Sequence, residues 1–426
     1  MRALRLTILL ACIVGCCLPS QSYSVLTHEQ VVDLAWKDQI RPMLLARFPQ
    51  ATPDDLKRAH AYAYGGSVMQ DMGYYPFGKK YFSDLVHYVR TGDFVAALIA
   101  DSSDLNEYAF ALGALAHYCS DNMGHPTINE VVAIEFPKLR AKYGDKVTYA
   151  DDHKTHIRTE FGFDMVQVAK NRYTSDRFHD FIGFEISKPL LERAFQQTYD
   201  MQLSEVLGGN EDLAIGTFRR AVSTIIPAMT RVALLNKHAD LVPERRNHAQ
   251  KKFLYQLSRT NYEKEWGKGY RQPGFGSRVL AFVLRILPKI GPASALNFKI
   301  PSAQTEDMYI KSVNKTMDDY KSLLAQVRDR NLNFADTDCD TGRDTHAAEY
   351  TLADDTYSHL LLDLERHNFA NVSPELRNNI LSYYSDPNAA YHGKRNNKHW
   401  EETLQAVQQL KNWQSNSVEN GAGAQE

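Results

Sequence analysis

Beyond residue 22, apolar positions recur three and four apart along most of the chain, the period of one buried face of an α-helix. The spacing predicts helices over Gln30–Phe48, Asp54 to about Met69, Phe82–Val89, Asp93–Asp101 and Asp104–Ser120. It continues over Lys154–Ala169, Lys188–Tyr199, Asp212–Leu235 and Ser302–Asp329. Breakers punctuate the pattern: the Gln50–Pro53 stretch separates two helices, Asp54 and Asp55 open the second, and Pro126 is expected to stop the helix that carries His125. Alternation of the strand type with hairpin turns is nearly absent, so the fold class is all-α.

The first 22 residues have a different pattern. Arg2 and Arg5 precede an apolar run from Leu6 to Leu18, which Pro19 ends before the small residues around Ser20–Ser22. That is a signal peptide, and cleavage after it leaves Tyr23 as the first residue, in a secreted or periplasmic protein. The alternative is a lipid-anchored form cleaved at Cys16, since Ile13-Val14-Gly15-Cys16 is a passable lipobox. No later window is apolar enough for a transmembrane helix. Three of the five cysteines lie in this leader, so neither a disulfide framework nor a thiolate metal site is available. A net charge of −2 points to neither a strongly nucleic-acid-attracting chain nor an acidic tail, and 43% hydrophobic residues suit a globular chain.

The candidate chemistry lies in ALGALAHYCSDNMGHP, residues 111–126, where an apolar helix ends in His117, Asp121 and His125 at four-residue spacing. Residues four apart share a helix face, so a nitrogen and an oxygen can serve one cation. HKTHIRTE repeats the device with His156 and Glu160, His153 being a competitor for the His156 role. One such pair is commonly a surface ion pair. Accumulation changes that reading: Asp71 follows the small-residue bend YGGSVMQD, His87 lies on an apolar face in FSDLVHY, and eight of fifteen histidines precede residue 180. A chain starting at Tyr23 also places His28 five residues from a free amine.

In order and type, these positions resemble the zinc-dependent phospholipase C and P1-type single-strand nuclease superfamily. The matches are Tyr23 (where the family has Trp), His28, Asp71, His87, His117, Asp121, His125, His156 and Glu160, and the resemblance covers roughly residues 23–200. Glu160 follows the phospholipase branch, whereas His125 stands four residues after Asp121 where those enzymes usually have six. The resemblance implies an all-α fold holding three zinc ions. The first would take Asp71, His87, His117 and Asp121, the second His125, His156 and Glu160. The third would take the Tyr23 amine and carbonyl, His28 and a bridging Asp121. It implies phosphodiester hydrolysis by metal-activated water, with Asp71 doubling as the base. No G-x-S-x-G, Walker A or HExxH sequence offers another mechanism.

The expected substrate is a glycerophospholipid, cleaved as by a phospholipase C. The alternatives are a nuclease or nucleotidase acting on nucleic acid, and a non-catalytic metal-stabilised surface protein. Tyr74, Tyr75 and Phe77 could cage a quaternary ammonium headgroup, stack a base, or fill core. Residues 278–300, apolar with spaced Arg and Lys, suit an interfacial membrane helix as well as a buried connector. The catalytic domain is expected over 23–245, a helical region of unknown role over 246–413, and a disordered tail over 414–426. Asp336, Asp338 and Asp340 in ADTDCDTGRD alternate as in calcium loops, yet Thr341 replaces the required Gly and no closing Glu follows. They read as a solvated acidic turn.

Overall fold

The computed structural model describes residues 24–169, 183–226, 297–370, 372–386 and 397–413, with the isolated residues 229, 230, 233 and 389. The leader, Tyr23, the basic stretch 243–252, residues 278–296 and the tail 414–426 lie outside the described residues. Among those described the chain is all-α, without strands apart from an isolated antiparallel bridge between Asp338 and Arg343. None of their helices is long and apolar enough to cross a membrane.

Helix α1 spans Val25–Ala35, passes through a π turn at Trp36–Ile40 and continues as α2, Arg41–Arg47. It starts before the predicted Gln30 because another helix caps it. The Asp164 carboxylate accepts from the Leu26 N–H at 3.1 Å and the Thr27 hydroxyl at 2.6 Å. Helix α3, Pro53–Met69, begins as its sequence indicates, with Thr52 and Asp55 forming a capping box. A 3₁₀ turn, Gln70–Tyr74, follows it. Next come α4 (Lys80–Tyr88), α5 (Thr91–Asp101), α6 (Leu105–Glu135), α7 (Pro137–Tyr143) and α8 (His153–Ala169). Helix α9 is Lys188–Tyr199, as predicted, α10 is Leu203–Val206, and α11 is Glu211–Arg220 with a π turn to Ile225. The carboxyl-terminal part supplies α12 (Ala303–Arg328), α13 (Thr351–Arg366), α14 (Pro374–Tyr383) and α15 (Asn397–Asn412).

The long helix α6 departs from expectation. It runs through Pro126 instead of stopping there. Proline removes one hydrogen bond to the carbonyl four residues back and strains the turn. The carbonyl left without its helical donor is that of Asn122, against which Gly342 of the carboxyl-terminal part packs, and the neighbouring Met123 carbonyl accepts from Ser312 Oγ of α12 at 3.1 Å, so distant parts of the chain hold this turn. His125 therefore sits inside the helix, on the same face as Asp121.

YGGS is also not a bend. Helix α3 continues through Gly65 and Gly66 and crosses α6 at Gly113. A Cβ on Gly66 would fall 1.9 Å from the Phe110 carbonyl oxygen, and one on Gly113 would fall 2.0 Å from that of Ala63. Only glycine permits backbones this close. Helix α12 covers another side of α6, with the Tyr320 hydroxyl donating to the Leu112 carbonyl at 2.8 Å. A hydrophobic core running from Val25 to Leu410 includes residues from both halves of the chain.

Candidate metal centre

The crossing of α3 and α6 sets the first group of site residues. It brings the Ser67 carbonyl to 2.9 Å from His117 Nδ1, while within α4 the Ser83 carbonyl lies 2.6 Å from His87 Nδ1. A carbonyl only accepts, so both rings carry their proton on Nδ1 and aim an Nε2 lone pair inward. Those two Nε2 atoms are 3.2 Å apart. Asp121 Oδ2 lies 3.1 Å from His117 Nε2 and 3.2 Å from His87 Nε2, and Asp71 Oδ1 lies 3.6 Å from His87 Nε2. All four side chains are buried, and neither Asp71 oxygen has a hydrogen-bond partner. Converging lone pairs and carboxylates in a dry interior repel unless a cation lies among them.

Two further groups adjoin this one. His28, from α1, faces the other oxygen of Asp121, its Nε2 3.5 Å from Oδ1, and stacks on His117 with ring centroids 4.4 Å apart. His125, His156 and Glu160 form the remaining group. Ligand atoms within each of the sets His28/His117/Asp121, Asp71/His87/His117 and His125/His156/Glu160 lie within 4.8 Å of one another. The structure thus brings together every sequence-predicted site residue that it describes, Tyr23 lying outside. The four-residue step from Asp121 to His125 suffices because α6 does not end: His125 Nε2 is 3.9 Å from Asp121 Oδ2. His153 is exposed, and His156 is fully buried beside Glu160.

Burial dominates the electrostatics. It pushes the Asp71 carboxyl up to about 8 and raises Glu160 well above the carboxylate range. It lowers His28, and it takes His156 down to about 4. Burial also opposes charge on His87, but the hydrogen bond and charge of Asp121 outweigh it and lift that ring to about 9, so in the absence of a cation a proton occupies the Nε2 position that a metal ion would take. Asp121 itself is held well below its ordinary value; burial works against this, and the His117 and His87 contacts prevail. Carboxylates this strongly desolvated stay ionised at neutral pH only beside positive charge, which fits a multivalent cation held by nitrogen and oxygen ligands.

The acidic turn differs most from expectation. Asp338 and Asp340 are buried, and Asp336 spends one oxygen on the N–H groups of Gly92 and Asp93, at 3.0 Å each, at the start of α5. Asp340 Oδ1 lies 3.1 Å from His125 Nε2, and Oδ2 accepts from the Tyr88 and Tyr350 hydroxyls at 2.8 and 2.6 Å. Asp340 was therefore missed as a site residue, as was Asn129, whose Oδ1 is 2.8 Å from His156 Nε2. The aspartate alternation was the available signal; nothing local says which helix it meets.

The aromatic run divides. Tyr75 packs edge-on against Phe218 in the core, Phe77 is exposed, and Tyr74 is the ring beside the site, 6.1 Å from His87 between centroids.

Residues 27–209 match the family described as zinc dependent phospholipase C. No curated protein and no solved structure matches the chain.

Proposed function

We propose that this chain, a member of the zinc-dependent phospholipase C superfamily through residues 27–209, is an exported hydrolase that cleaves the headgroup phosphodiester of glycerophospholipids. The observation that carries this reading is the convergence on Asp121. Two imidazole lone pairs, fixed by carbonyl contacts on their far nitrogens, meet its Oδ2 within 3.2 Å, beside the unpartnered Asp71 carboxylate. Asp71, His87, His117 and Asp121 would hold one ion, and His125, His156 and Glu160 a second. Tyr23, His28 and the other oxygen of Asp121 would hold a third. Zinc held by these residues would supply Lewis acidity toward the phosphoryl oxygens and would acidify bound water.

The chain's own groups do the rest. Asp71, buried and with neither oxygen hydrogen-bonded, would orient the attacking water and take its proton while the adjacent cation keeps it ionised. Asp121 divides its oxygens between two sides of the cluster, Oδ1 toward His28 and Oδ2 toward His87 and His117. Tyr74, its ring centroid 6.1 Å from that of His87, would be the aromatic partner of a cationic headgroup.

The test is hydrolysis of phosphatidylcholine vesicles by the mature protein, together with its intact mass and zinc content. A chain beginning at Tyr23 with close to three zinc ions, releasing phosphocholine in a chelator-sensitive way, is expected. Cleavage of single-stranded DNA without lipid cleavage would move the protein to the nuclease branch. Full zinc loading with neither activity would make it a metal-stabilised binding protein.

A further inference from the structure

Among the described residues, the carboxyl-terminal part reaches the site through the segment around Asp340. Residues 335–343 run over α4, α5 and α6: the Tyr118 hydroxyl donates to the Ala335 carbonyl at 2.7 Å, and the Cys339 N–H to the His87 carbonyl at 3.0 Å. Gly342, at φ +66°, presses on the Pro126 break, where an added Cβ would stand 2.4 Å from the Asn122 carbonyl oxygen. This segment lies outside residues 27–209, the span of the family match.

We propose that Asp340 is the positioning residue of the second metal centre, fixing the ring orientation and tautomer of both its histidines. The inference rests on the reading of His125, His156 and Glu160 as that centre. Two chains of polar contacts lead out from Asp340. Its carboxylate is oriented by the Tyr88 and Tyr350 hydroxyls on Oδ2, which leaves Oδ1 as the charged partner of His125 Nε2, 3.1 Å away, and favours the proton on that nitrogen. His125 Nδ1 is then a buried lone pair with no hydrogen-bond partner. In the second chain, the Asp340 main-chain carbonyl accepts from Asn129 Nδ2 at 3.1 Å, which turns Asn129 Oδ1 toward His156. An amide oxygen only accepts, so His156 carries its proton on Nε2 and directs the Nδ1 lone pair at Glu160 Oε1, 2.7 Å away. A lone pair facing a carboxylate at that distance needs a proton or a cation between them.

The two centres thus use opposite ring nitrogens. His87 and His117 give Nε2 because main-chain carbonyls hold Nδ1; His125 and His156 give Nδ1 because one aspartate, directly and through Asn129, holds Nε2. Partners of this kind, binding the far nitrogen of a ligand, typically change metal affinity by about 10- to 100-fold.

The test has two readouts on the full mature chain. Zinc affinities are measured by chelator competition for wild type, Asp340→Ala, Asp340→Asn and Asn129→Ala. Histidine tautomers are read from long-range ¹H–¹⁵N NMR spectra. Asp340→Ala is expected to weaken one ion about 10- to 100-fold and leave the ion at His87 and His117 in place. Asp340→Asn, which keeps an acceptor oxygen, should recover part of the loss. Wild type should show Nε2–H on His125 and His156 and Nδ1–H on His87 and His117, with the His125 signature lost in Asp340→Ala. Unchanged affinity in both Asp340 variants, equal weakening of every ion, or an Nδ1–H tautomer at His125 would overturn the proposal. If wild type binds no zinc, the metal reading fails; the tautomers of the metal-free protein still decide the role of Asp340. If Asp340→Ala does not fold, Asp340→Asn and Asn129→Ala decide it.

Discussion

The two histidine pairs of the site are held in place by different kinds of structure. His87 and His117 lean on carbonyls of helices α4 and α3, which are part of the packed core and cannot rotate. His125 and His156 lean on side chains, Asp340 and Asn129, and these depend on a loop 211 positions away from Asn129. The first arrangement is fixed once α3 crosses α6. The second is completed when the carboxyl-terminal part docks.

Removing the ions probes both arrangements together. With free zinc a thousandfold above its dissociation constant, loading should stabilise the fold by about 4 kcal/mol per site, seen as a drop in Tm on chelation. A Tm indifferent to chelator would mean that neither group of ligands is a metal site. Gly66→Ala is aimed at the first arrangement alone. Its methyl would fall 1.9 Å from the Phe110 oxygen, so the helices must separate at a cost of about 3 kcal/mol by denaturant unfolding, and His117 loses its Ser67 contact. A near-neutral result would show that the crossing is looser than the structure indicates.

Tyr350→Phe touches the other side. It deletes one hydroxyl donor to Asp340, and a loss of about 1 kcal/mol is expected, accompanied by weaker binding of the second ion only. Equal weakening of the first ion would erase the distinction between the two. The smallest effect is expected at Glu135, at the far end of α6, where the helix meets the start of α12. Burial opposes its ionisation, but the Lys299 ammonium, the Thr305 hydroxyl and the Ser302 N–H outweigh it and lower the carboxyl from 4.5 to about 2. Its stabilisation is therefore complete above pH 4.5 and fades as pH falls toward 2. The stability difference between wild type and Glu135→Gln should shrink over that window, without change in zinc content. A pH-independent difference would break the assignment.

Helix periodicity located most elements because burial of one face is a local property of the sequence. Lys188–Tyr199 was legible to the residue, and α3 to within one at its start, where Thr52 and Asp55 cap it. The candidate ligands were legible for a related reason: on a helix, spacing alone puts His117 with Asp121 and His156 with Glu160. The course of α6 past Pro126 was not, because the groups packed on that turn, Ser312 at the Met123 carbonyl and Gly342 at that of Asn122, come from distant parts of the chain. Nor was the role of YGGS, since glycines at a helix crossing and glycines at a bend have the same local sequence.

The sequence by itself determined the helices, their apolar faces and the residue types of the metal-binding chemistry, all of which depend on neighbours within a few positions. Which nitrogen each histidine presents, and which of the buried acids stands beside it, only the tertiary structure decided. Those choices rest on polar contacts with groups on other helices or on a distant loop, such as Ser67 to His117 and Asp340 to His125, and packing alone brings such groups together.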